Sequence, residues 1–273
     1  MKRFAIGNAE AGGARLLVIA GPCIVEGADM CLRVAAHMKG VCAARGVPYV
    51  FKASYRKANR SSGRSFEGLG MEESLTILSE VKSEVGVPVL TDVHEEREVP
   101  LAAAVADVLQ IPAFLSRQTG LLQAAARTGR AVNVKKGQFL APDDMAQVVE
   151  KLTAAGGEKI LLTERGTTFG YHDLVVDMRG LVTMRELGWP VVYDATHSLQ
   201  RPGGVESGGE RRFAFPLMRA AVACGVDGLF FEAHPDPARA RSDAATQLPL
   251  DEAAAFLDDA LRVREAIGSR AHA

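Results

Sequence analysis

The chain has 273 residues, 32 of them basic and 33 acidic, and a net charge of −1. This balance argues against general binding to nucleic acids or membrane surfaces, and no apolar run is long enough to predict a membrane span. An apolar fraction of 48% is typical of a globular protein, and the length suits either one α/β barrel or two average domains.

The N-terminus and the cysteines bear on the compartment. Residues 1–7 lack the apolar core of a signal peptide, which predicts a cytoplasmic protein. The four cysteines show no paired spacing, as expected where thiols stay reduced. Cys31, Cys42 and Cys224 fall in helical patterns and are interpreted as small buried hydrophobic residues, whereas Cys23 follows a strand pattern.

Short apolar runs around a turn at residues 11–13 predict a hairpin, after which strand and helix patterns alternate eight times. The predicted strands are Leu16–Ala20, Pro48–Ala53, Val87–Asp92, Asp107–Ile111, Ala131–Lys135, Lys159–Thr163, Pro190–Asp194 and Gly228–Glu232. The predicted helices lie near 28–45, 71–85, 95–106, 117–128, 142–155, 177–187, 212–224 and 250–267.

This alternation predicts an α/β fold, a (β/α)8 TIM barrel with a short N-terminal β-hairpin. The strands are continuous apolar runs, as a parallel sheet covered on both faces requires. Composition does not change along the chain and no linker divides it, so we expect residues 1–273 to form a single domain.

Chemistry in such a barrel gathers at the C-terminal ends of the strands. In this chain each of those ends carries a polar or reactive residue: Cys23, Lys52, Asp92, Gln110, Lys135, Arg165, His197 and Glu232. Any one of them could be a structural polar residue, but their occurrence in all eight units favours a shared active site.

Anion binding is the first chemistry that these residues predict. The second strand leads into a segment with four cations, three short neutral donors and no acidic residue: Lys52, Arg56, Lys57, Arg60, Asn59, Ser61 and Ser62. On its own this segment could be a solvated basic loop. Together with Lys135 and Arg165 it would crowd one cavity with charge that phosphate or carboxylate ligands must neutralise. Side-chain alternation predicts that Lys136 and Glu164 point outward instead.

Metal binding is the second chemistry that these residues predict. Cys23, His197, Glu232 and Asp243 combine a thiol, an imidazole and two carboxylates at one rim, a mixture that suits Zn²⁺, Fe²⁺ or Mn²⁺ better than Ca²⁺ or Mg²⁺. The four residues lack the local spacing of familiar metal motifs, so His197 could equally be a hydrogen-bonded rim histidine. His94 and His234 lie near strand ends, where they could support the ligands.

Several motifs together resemble the 3-deoxy-D-manno-octulosonate 8-phosphate synthase family. They are Gly21-Pro22-Cys23, Phe51-Lys52-Ala53-Ser54, Lys57-Ala58-Asn59-Arg60-Ser61-Ser62, Thr91-Asp92-Val93-His94-Glu95, Gln110-Ile111-Pro112-Ala113-Phe114-Leu115, Asn133-Val134-Lys135-Lys136, Arg165-Gly166, Asp194-Ala195-Thr196-His197 and Glu232-Ala233-His234-Pro235. The resemblance runs from about residue 15 to 250 in uninterrupted order.

The resemblance implies a transferase that condenses phosphoenolpyruvate with D-arabinose 5-phosphate and releases phosphate, on the route to lipopolysaccharide. It also implies a homotetrameric barrel with a hairpin across its base. Cysteine after Gly-Pro marks the metal-dependent class of the family, where the metal-independent class has asparagine. Cys23 therefore strengthens the prediction of a divalent metal bound by Cys23, His197, Glu232 and Asp243.

The resemblance further implies residue roles. Lys57, Lys135 and Arg165 would hold phosphoenolpyruvate, with Gln110 beside them. Lys52, Asn59 and Asp92 would face the arabinose hydroxyls and aldehyde, and Arg60 and Ser61 would bind the sugar phosphate, helped by Arg117 of a neighbouring subunit. The residues expected to be catalytic are Lys57, Lys135, His197 and Asp243.

Two other functions remain open. A synthase of 3-deoxy-arabino-heptulosonate 7-phosphate, which uses erythrose 4-phosphate, shares the barrel and the metal set but has a Lys-Pro-Arg-Thr type of segment where this chain has Lys57-Ala58-Asn59-Arg60. A non-catalytic protein that binds phosphosugars could use the same barrel, although it would have little need for the four metal ligands.

Overall fold

In a computed structural model the protein is described over residues 1–57, 68–202 and 208–268. Within these ranges eight parallel strands close into a barrel, each hydrogen-bonded to the next in chain order and the eighth to the first. The barrel strands are β1 Leu17–Gly21, β2 Tyr49–Lys52, β3 Val89–Asp92, β4 Val108–Ile111, β5 Ala131–Lys135, β6 Ile160–Glu164, β7 Val191–Asp194 and β8 Gly228–His234. The predicted (β/α)8 TIM barrel is confirmed.

Eight α-helices of the described chain surround the sheet. They are α1 Ala28–Ala43, α2 Met71–Glu80, α3 Val99–Val105, α4 Thr119–Arg127, α5 Met145–Ala154, α6 Met178–Glu186, α7 Ala214–Ala223 and α8 Ala253–Ile267. A π-helical turn, Val81–Val85, continues α2. Single 3₁₀ turns occur at Glu96–Glu98, Ala113–Leu115, Pro142–Asp144, His197–Leu199, Arg211–Phe213, Pro237–Arg239 and Leu250–Glu252.

Six barrel strands begin one or two residues later than predicted, and three of the six follow a proline. Pro48, Pro88 and Pro190 lack the N–H that a strand residue must donate, so they precede β2, β3 and β7 instead of joining them. Their carbonyl groups nevertheless accept hydrogen bonds from the neighbouring strands, at 2.9–3.0 Å. The prolines therefore mark the base of the barrel.

The last strand, β8, extends two residues beyond its predicted end. Ala233 and His234 pair with a short parallel strand, Leu248–Pro249, which lies beside β8 at the mouth. Glu232 consequently lies inside the strand rather than at its end. The other short strands form antiparallel pairs on the mouth loops, Thr167–Thr168 with Leu174–Val175 and Gln200–Arg201 with Gly208–Gly209.

The predicted N-terminal hairpin is present, but its turn is not at residues 11–13. Strands Phe4–Ile6 and Ala9–Ala11 pair across a two-residue turn at Gly7-Asn8, where Gly7 has a φ of 57°. Ile6, Ala9 and Ala11 pack against the lowest inward-facing side chains of the barrel, such as Leu17. The hairpin thus covers the base of the barrel and leaves the opposite end for the site.

A second, larger core lies between the sheet and the helices. Outward-facing strand residues such as Val132, Val134 and Leu162 pack there against helical residues such as Leu122 and Leu152. Among the described helices, none is both long and apolar enough to cross a membrane.

Strand β1 approaches β2 closely at Gly21, and this predicts a steric effect on stability. A Cβ atom at Gly21 would lie 2.1 Å from the carbonyl oxygen of Lys52, so Gly21→Ala forces the two strands apart. We expect the free energy of unfolding to fall by about 1–3 kcal/mol, measured by urea denaturation.

Gly40→Ala is the matched control. Gly40 lies within α1, a Cβ there meets no atom within 4 Å, and alanine should raise the free energy of unfolding by about 0.5–1 kcal/mol. Equal stabilities for the two variants would contradict the close approach at Gly21.

Candidate active site

The polarity of the barrel interior changes along its axis. Inward-facing residues near the base, including Val50, Leu90 and Val192, belong to the apolar core that the hairpin closes. Two residues further along the same strands, the next inward positions carry Lys52, Asp92 and Asp194, which are also buried. Because all the strands run in the same direction, these polar positions come together at the mouth.

The mouth contains a cavity of about 260 Å³. Six of its lining residues are strand-end residues that the sequence predicted for a site: Lys52, Asp92, Gln110, Lys135, Arg165 and His197. The other seven are Lys57, His94, Pro112, Ala113, Phe114, Leu115 and Gln138. Residues from six consecutive strand–loop units, those of β2 to β7, therefore face one space.

Two lysines of the cavity are held by buried carboxylates. Lys52 Nζ lies 2.6 Å from Glu232 Oε1, and both side chains are at most 1% exposed. Lys135 Nζ donates to Asp194 Oδ2 and lies 3.4 Å from the centre of the Phe230 ring. Since a buried charge without a partner is costly, these pairs explain how the interior accommodates both lysines.

Lys57 and Arg165 are held less closely by carboxylates than Lys52 and Lys135 are. Lys57 Nζ lies 4.0 Å from Glu232 Oε1, and its side chain is 11% exposed. Arg165 Nη2 donates to Gln200 Oε1 at 2.7 Å. The glutamine oxygen is neutral and accepts from one nitrogen of the guanidinium, so Arg165 can also bind an anionic group at the cavity.

Asp92 stays ionised among these cations. Its two carboxylate oxygens accept hydrogen bonds from Ser54 Oγ and Gln110 Nε2. Burial alone would raise the pKa of Asp92, but the charges of Lys57 and Lys52 outweigh it and hold the pKa well below the ordinary value. The cavity therefore contains a fixed negative charge beside its lysines.

Three of the four predicted metal ligands form a compact cluster. One ligand atom each from Cys23, Glu232 and Asp243 lies within 4.8 Å of the others. The fourth, His197, directs Nε2 at the same group, 3.5 Å from Glu232 Oε1 and 3.9 Å from Asp243 Oδ2. Residues separated by more than 200 positions in the chain are thus brought together at one rim.

The donor chemistry of this cluster fits a divalent cation. Glu232 Oε2 is fully buried and has no hydrogen-bond partner among the described residues, which is costly unless a cation or water is bound there. His197 Nδ1 lies 2.8 Å from Asp194 Oδ2. A proton on Nδ1, donated to this carboxylate, leaves the lone pair of Nε2 directed at the cluster, the arrangement that metal-ligating histidines adopt.

Cys23 and Asp243 add two further features. Cys23 Sγ lies 2.9 Å from Asp243 Oδ2, and burial, followed by the charges of Asp243 and Glu232, raises the pKa of the thiol well above its ordinary value. A cation would have to replace this thiol proton. Asp243 itself has a φ of 50°, an uncommon conformation for a residue other than glycine.

Lys136 and Glu164 do not line the cavity, as side-chain alternation predicted. They are nevertheless buried, with side-chain exposures of 1% and 3%, and their charged groups lie 3.7 Å apart. Lys136 Nζ also donates to the carbonyl groups of Gly137 and Leu140 and to Thr167 Oγ1. Lys136 thus connects the loop that follows β5 with the end of β6 at Glu164 and with the loop beyond it at Thr167.

Other predicted residues lie elsewhere. Asn59, Arg60 and Ser61 are outside the described residues. Arg117 is exposed on the loop after β4 and does not line the cavity of its own chain. His234 lines a separate, more open cavity of about 580 Å³, where its Nε2 lies 3.8 Å from Glu26 Oε2, so it does not support the cluster.

Sequence reasoning missed several residues that shape the site. The sequence placed Asp194 in a motif without predicting a role for it, yet its carboxylate pairs with both Lys135 and His197. Its position at the end of β7 was the available signal. Gln138 and Gln200 lie on loops whose course the sequence does not indicate.

The barrel and the site agree with comparisons to known proteins. The sequence profile of the DAHP synthetase I family matches residues 4–267. Proteins named 2-dehydro-3-deoxyphosphooctonate aldolase are similar in three organisms: 56% identical over 259 residues in Trichlorobacter lovleyi, 54% over 259 in Azoarcus sp. and 55% over 267 in Synechococcus sp.. These matches cover 94%, 93% and 97% of this chain and 95%, 93% and 93% of the relatives.

The chain belongs to the DAHP synthetase I family and, within it, to the group of 2-dehydro-3-deoxyphosphooctonate aldolases. The resemblance predicted from the sequence motifs is therefore confirmed, and with it the prediction of an enzyme.

The buried pair Lys136–Glu164 predicts a large effect on stability. Burial lowers the pKa of Lys136 and raises that of Glu164, so each charge is costly without the other. We expect Lys136→Met to lower the free energy of unfolding by about 3–5 kcal/mol, because it leaves a buried carboxylate unpaired.

The double variant Lys136→Met with Glu164→Leu removes both charges and should recover much of that loss. Urea denaturation of the single and double variants makes the comparison. If the single variant is as stable as the unmodified protein, the pair does not carry the predicted energy.

Proposed function

We propose that this cavity condenses phosphoenolpyruvate with D-arabinose 5-phosphate and water, giving 3-deoxy-D-manno-octulosonate 8-phosphate and phosphate, a step of lipopolysaccharide biosynthesis. The observation that carries the proposal is the meeting of Lys57, Lys135 and Arg165 with the Cys23–Glu232–Asp243 cluster at one mouth. The name shared by the relatives supports the same reaction.

Phosphoenolpyruvate binds on the side of the mouth formed by β4, β5 and β6. Lys135 and Arg165 offer cations to its carboxylate and phosphate, Lys57 approaches from the β2 loop, and Gln110 supplies an amide. These groups are fixed by partners on the protein, such as Asp194 for Lys135, and therefore need little reorganisation when the substrate binds.

Arabinose 5-phosphate binds on the side of β2 and β3. Lys52 and Asp92, with Asn59, face its aldehyde and hydroxyl groups, and Arg60 and Ser61 bind its phosphate. Arg117 of a neighbouring subunit adds a further cation to that phosphate. The exposed position of Arg117 on its own barrel agrees with a role across a subunit interface.

In the reaction, C3 of phosphoenolpyruvate attacks the aldehyde carbon and forms the new C–C bond, while the aldehyde oxygen takes up a proton. Water then adds to C2, and the C2–O bond to phosphate breaks with its electron pair leaving on the phosphate. The water oxygen becomes the ketone oxygen of the product and loses both its protons, which balance the proton taken up by the aldehyde oxygen and one carried away by phosphate. The barrel contributes mainly by holding two mutually repelling anions close together. Of the proposed catalytic residues, Lys57 and Lys135 stabilise charge on phosphoenolpyruvate, while His197 and Asp243 shape the rim where water and aldehyde meet.

We also propose that Cys23, His197, Glu232 and Asp243 bind a divalent cation, such as Zn²⁺, Fe²⁺ or Mn²⁺. A bound ion of this kind supplies Lewis-acid polarisation to an aldehyde or a water molecule. The charge balance supports it, because the cations Lys52, Lys57, Lys135 and Arg165 face equally many carboxylates: Asp92, Asp194, Glu232 and Asp243. A divalent ion adds the positive charge that two anionic substrates require.

The competing heptulosonate 7-phosphate synthase has the same fold, and the family profile alone would suit it equally well. The segment Lys57-Ala58-Asn59-Arg60 and the shared name of the relatives favour the arabinose substrate. A non-catalytic phosphosugar-binding protein is disfavoured by the buried Glu232 Oε2 within the metal-like cluster.

We further propose that the protein is a homotetramer in the cytoplasm. Large apolar side chains are exposed on three consecutive mouth loops, namely Phe114, Phe139, Phe169 and Tyr171, the last two 66% and 85% exposed. Such a group of exposed aromatic side chains is typical of a protein–protein interface. Light scattering on the purified protein measures the mass of the assembly.

The reaction is tested by measuring phosphate release from phosphoenolpyruvate with arabinose 5-phosphate, with erythrose 4-phosphate and with no sugar. We expect release with the first sugar only. Release with erythrose 4-phosphate would favour the heptulosonate synthase, and no release with either sugar would favour the binding protein.

The proposed metal site predicts that Cys23→Ser loses bound metal and activity together. A serine hydroxyl is a poorer ligand than a thiolate for Zn²⁺ or Fe²⁺, so the affinity for the metal should fall roughly 10- to 100-fold. Metal content per chain after dialysis is the first readout, and activity is the second.

Cys224→Ser is the control, because Cys224 lies in the turn between α7 and the start of β8, at the base of the barrel, and is only partly buried. It should keep both metal and activity. Full activity of the unmodified protein and of Cys23→Ser after chelation would refute the site.

The proposed phosphoenolpyruvate site predicts that Lys135→Met chiefly impairs the use of that substrate. A lost hydrogen bond to a charged group should lower kcat/KM for phosphoenolpyruvate roughly 10- to 100-fold, with a smaller effect on KM for arabinose 5-phosphate. Steady-state kinetics with each substrate varied in turn measures both values.

The matched control is Lys159→Met, since Lys159 precedes β6 at the base of the barrel. It should leave both constants unchanged. Equal losses for the two substrates in Lys135→Met would assign the lysine to the aldehyde side instead.

A further inference from the structure

A continuous line of hydrogen bonds crosses the barrel interior below the mouth. Thr163 Oγ1 donates to Asn133 Oδ1 at 2.6 Å, Asn133 Nδ2 donates to Gln110 Oε1 at 2.8 Å, and Gln110 Nε2 donates to Asp92 Oδ1. Ser54 Oγ donates to the other oxygen of Asp92. We call these five residues, Ser54, Asp92, Gln110, Asn133 and Thr163, the interior polar chain.

The register of the sheet explains why the interior polar chain exists. Asp92 lies opposite Gln110, and Gln110 lies opposite Asn133, in adjacent parallel strands. Thr163 follows on β6, where it lies opposite Lys135, two residues beyond Asn133. All five side chains are at least 95% buried, so each polar atom depends on its neighbour in the chain.

The direction of the interior polar chain is determined by its ends. Ionised Asp92 can only accept hydrogen bonds, so Gln110 must present its NH₂ group to Asp92 and its oxygen to Asn133. Asn133 must then donate to Gln110 and accept from Thr163. A threonine hydroxyl is the group that can satisfy this last oxygen, and rotation of either amide would leave two acceptors facing each other.

We infer that Asn133 and Thr163 are positioning residues for the condensation. They do not line the cavity, but they hold the amide of Gln110 in the single orientation that serves both Asp92 and the cavity. Through Gln110 they also keep the carboxylate of Asp92 in place opposite Lys57 and Lys52. This inference rests on the proposed function in that its kinetic readout uses the same reaction and its calorimetric readout uses the same substrate, phosphoenolpyruvate.

Thr163→Val tests the inference, because valine has nearly the shape of threonine but cannot donate. We expect kcat/KM for phosphoenolpyruvate to fall about tenfold, the effect of losing roughly one hydrogen bond. Thr163→Ser retains the hydroxyl and should stay close to the unmodified enzyme. Calorimetric titration with phosphoenolpyruvate alone should show the same ranking of the two variants.

A second background separates positioning from a general loss of packing. In Gln110→Ala the interior polar chain is already cut, so Thr163→Val and Thr163→Ser should then have equal kinetics and equal affinity for phosphoenolpyruvate. Thermal unfolding midpoints establish that all variants are folded. A difference between valine and serine that persists undiminished in Gln110→Ala would overturn the inference.

Equal behaviour of Thr163→Val and Thr163→Ser in the otherwise unmodified enzyme would overturn it as well. These outcomes differ from failure of the proposed function, in which the unmodified protein itself releases no phosphate. In that case the calorimetric ranking of the variants still decides the role of the interior polar chain.

Discussion

The buried pairing of Lys52 with Glu232, and of Lys135 with Asp194, is the constraint on which the site depends. A lysine in a barrel interior is tolerated only when a carboxylate compensates its charge. Each carboxylate lies on a different strand from its lysine. Glu232 on β8 reaches Lys52 on β2 across the β8–β1 junction that closes the barrel. Asp194 on β7 reaches Lys135 on β5 across β6. Folding and assembly of the site are therefore the same event.

These pairs also explain why the inward-facing side chains are apolar at the hairpin end of the barrel and polar at the mouth. The base is filled by apolar side chains of the hairpin and of the lowest inward positions, such as Ile6 and Leu90. One inward position higher, almost every strand places a polar group, and these groups satisfy one another across the sheet. The apolar base supplies the packing energy that allows the polar positions above it to be held rigidly.

Much of this arrangement could be predicted from the sequence, because parallel strands bring their ends together whatever lies between them. Cys23, Lys52, Lys135 and His197 were predicted to meet for that reason, and the alternation of side chains predicted that Lys136 faces away from the cavity. The burial of Lys136 was not predictable, since its partner Glu164 belongs to another strand.

Residues whose role depends on register were missed. Asn133 and Thr163 resemble ordinary strand residues in the sequence, and only their alignment with Gln110 reveals a continuous hydrogen-bonded line. The positive φ of Asp243 depends on backbone geometry that composition does not indicate. The later starts of β2, β3 and β7, by contrast, follow from Pro48, Pro88 and Pro190 and could have been predicted from the sequence. Motifs therefore predicted the chemistry of the site, while the three-dimensional structure was needed to show how that chemistry is held.

The central claim is that one mouth binds phosphoenolpyruvate between cations from separate strands, next to the cluster of Cys23, Glu232 and Asp243. A crystal structure with phosphoenolpyruvate bound tests it most directly. The account predicts that the anionic groups of the ligand contact Lys135 and Arg165. A ligand bound instead in the open cavity beside His234, with Lys135 and Arg165 still held only by the protein, would contradict it.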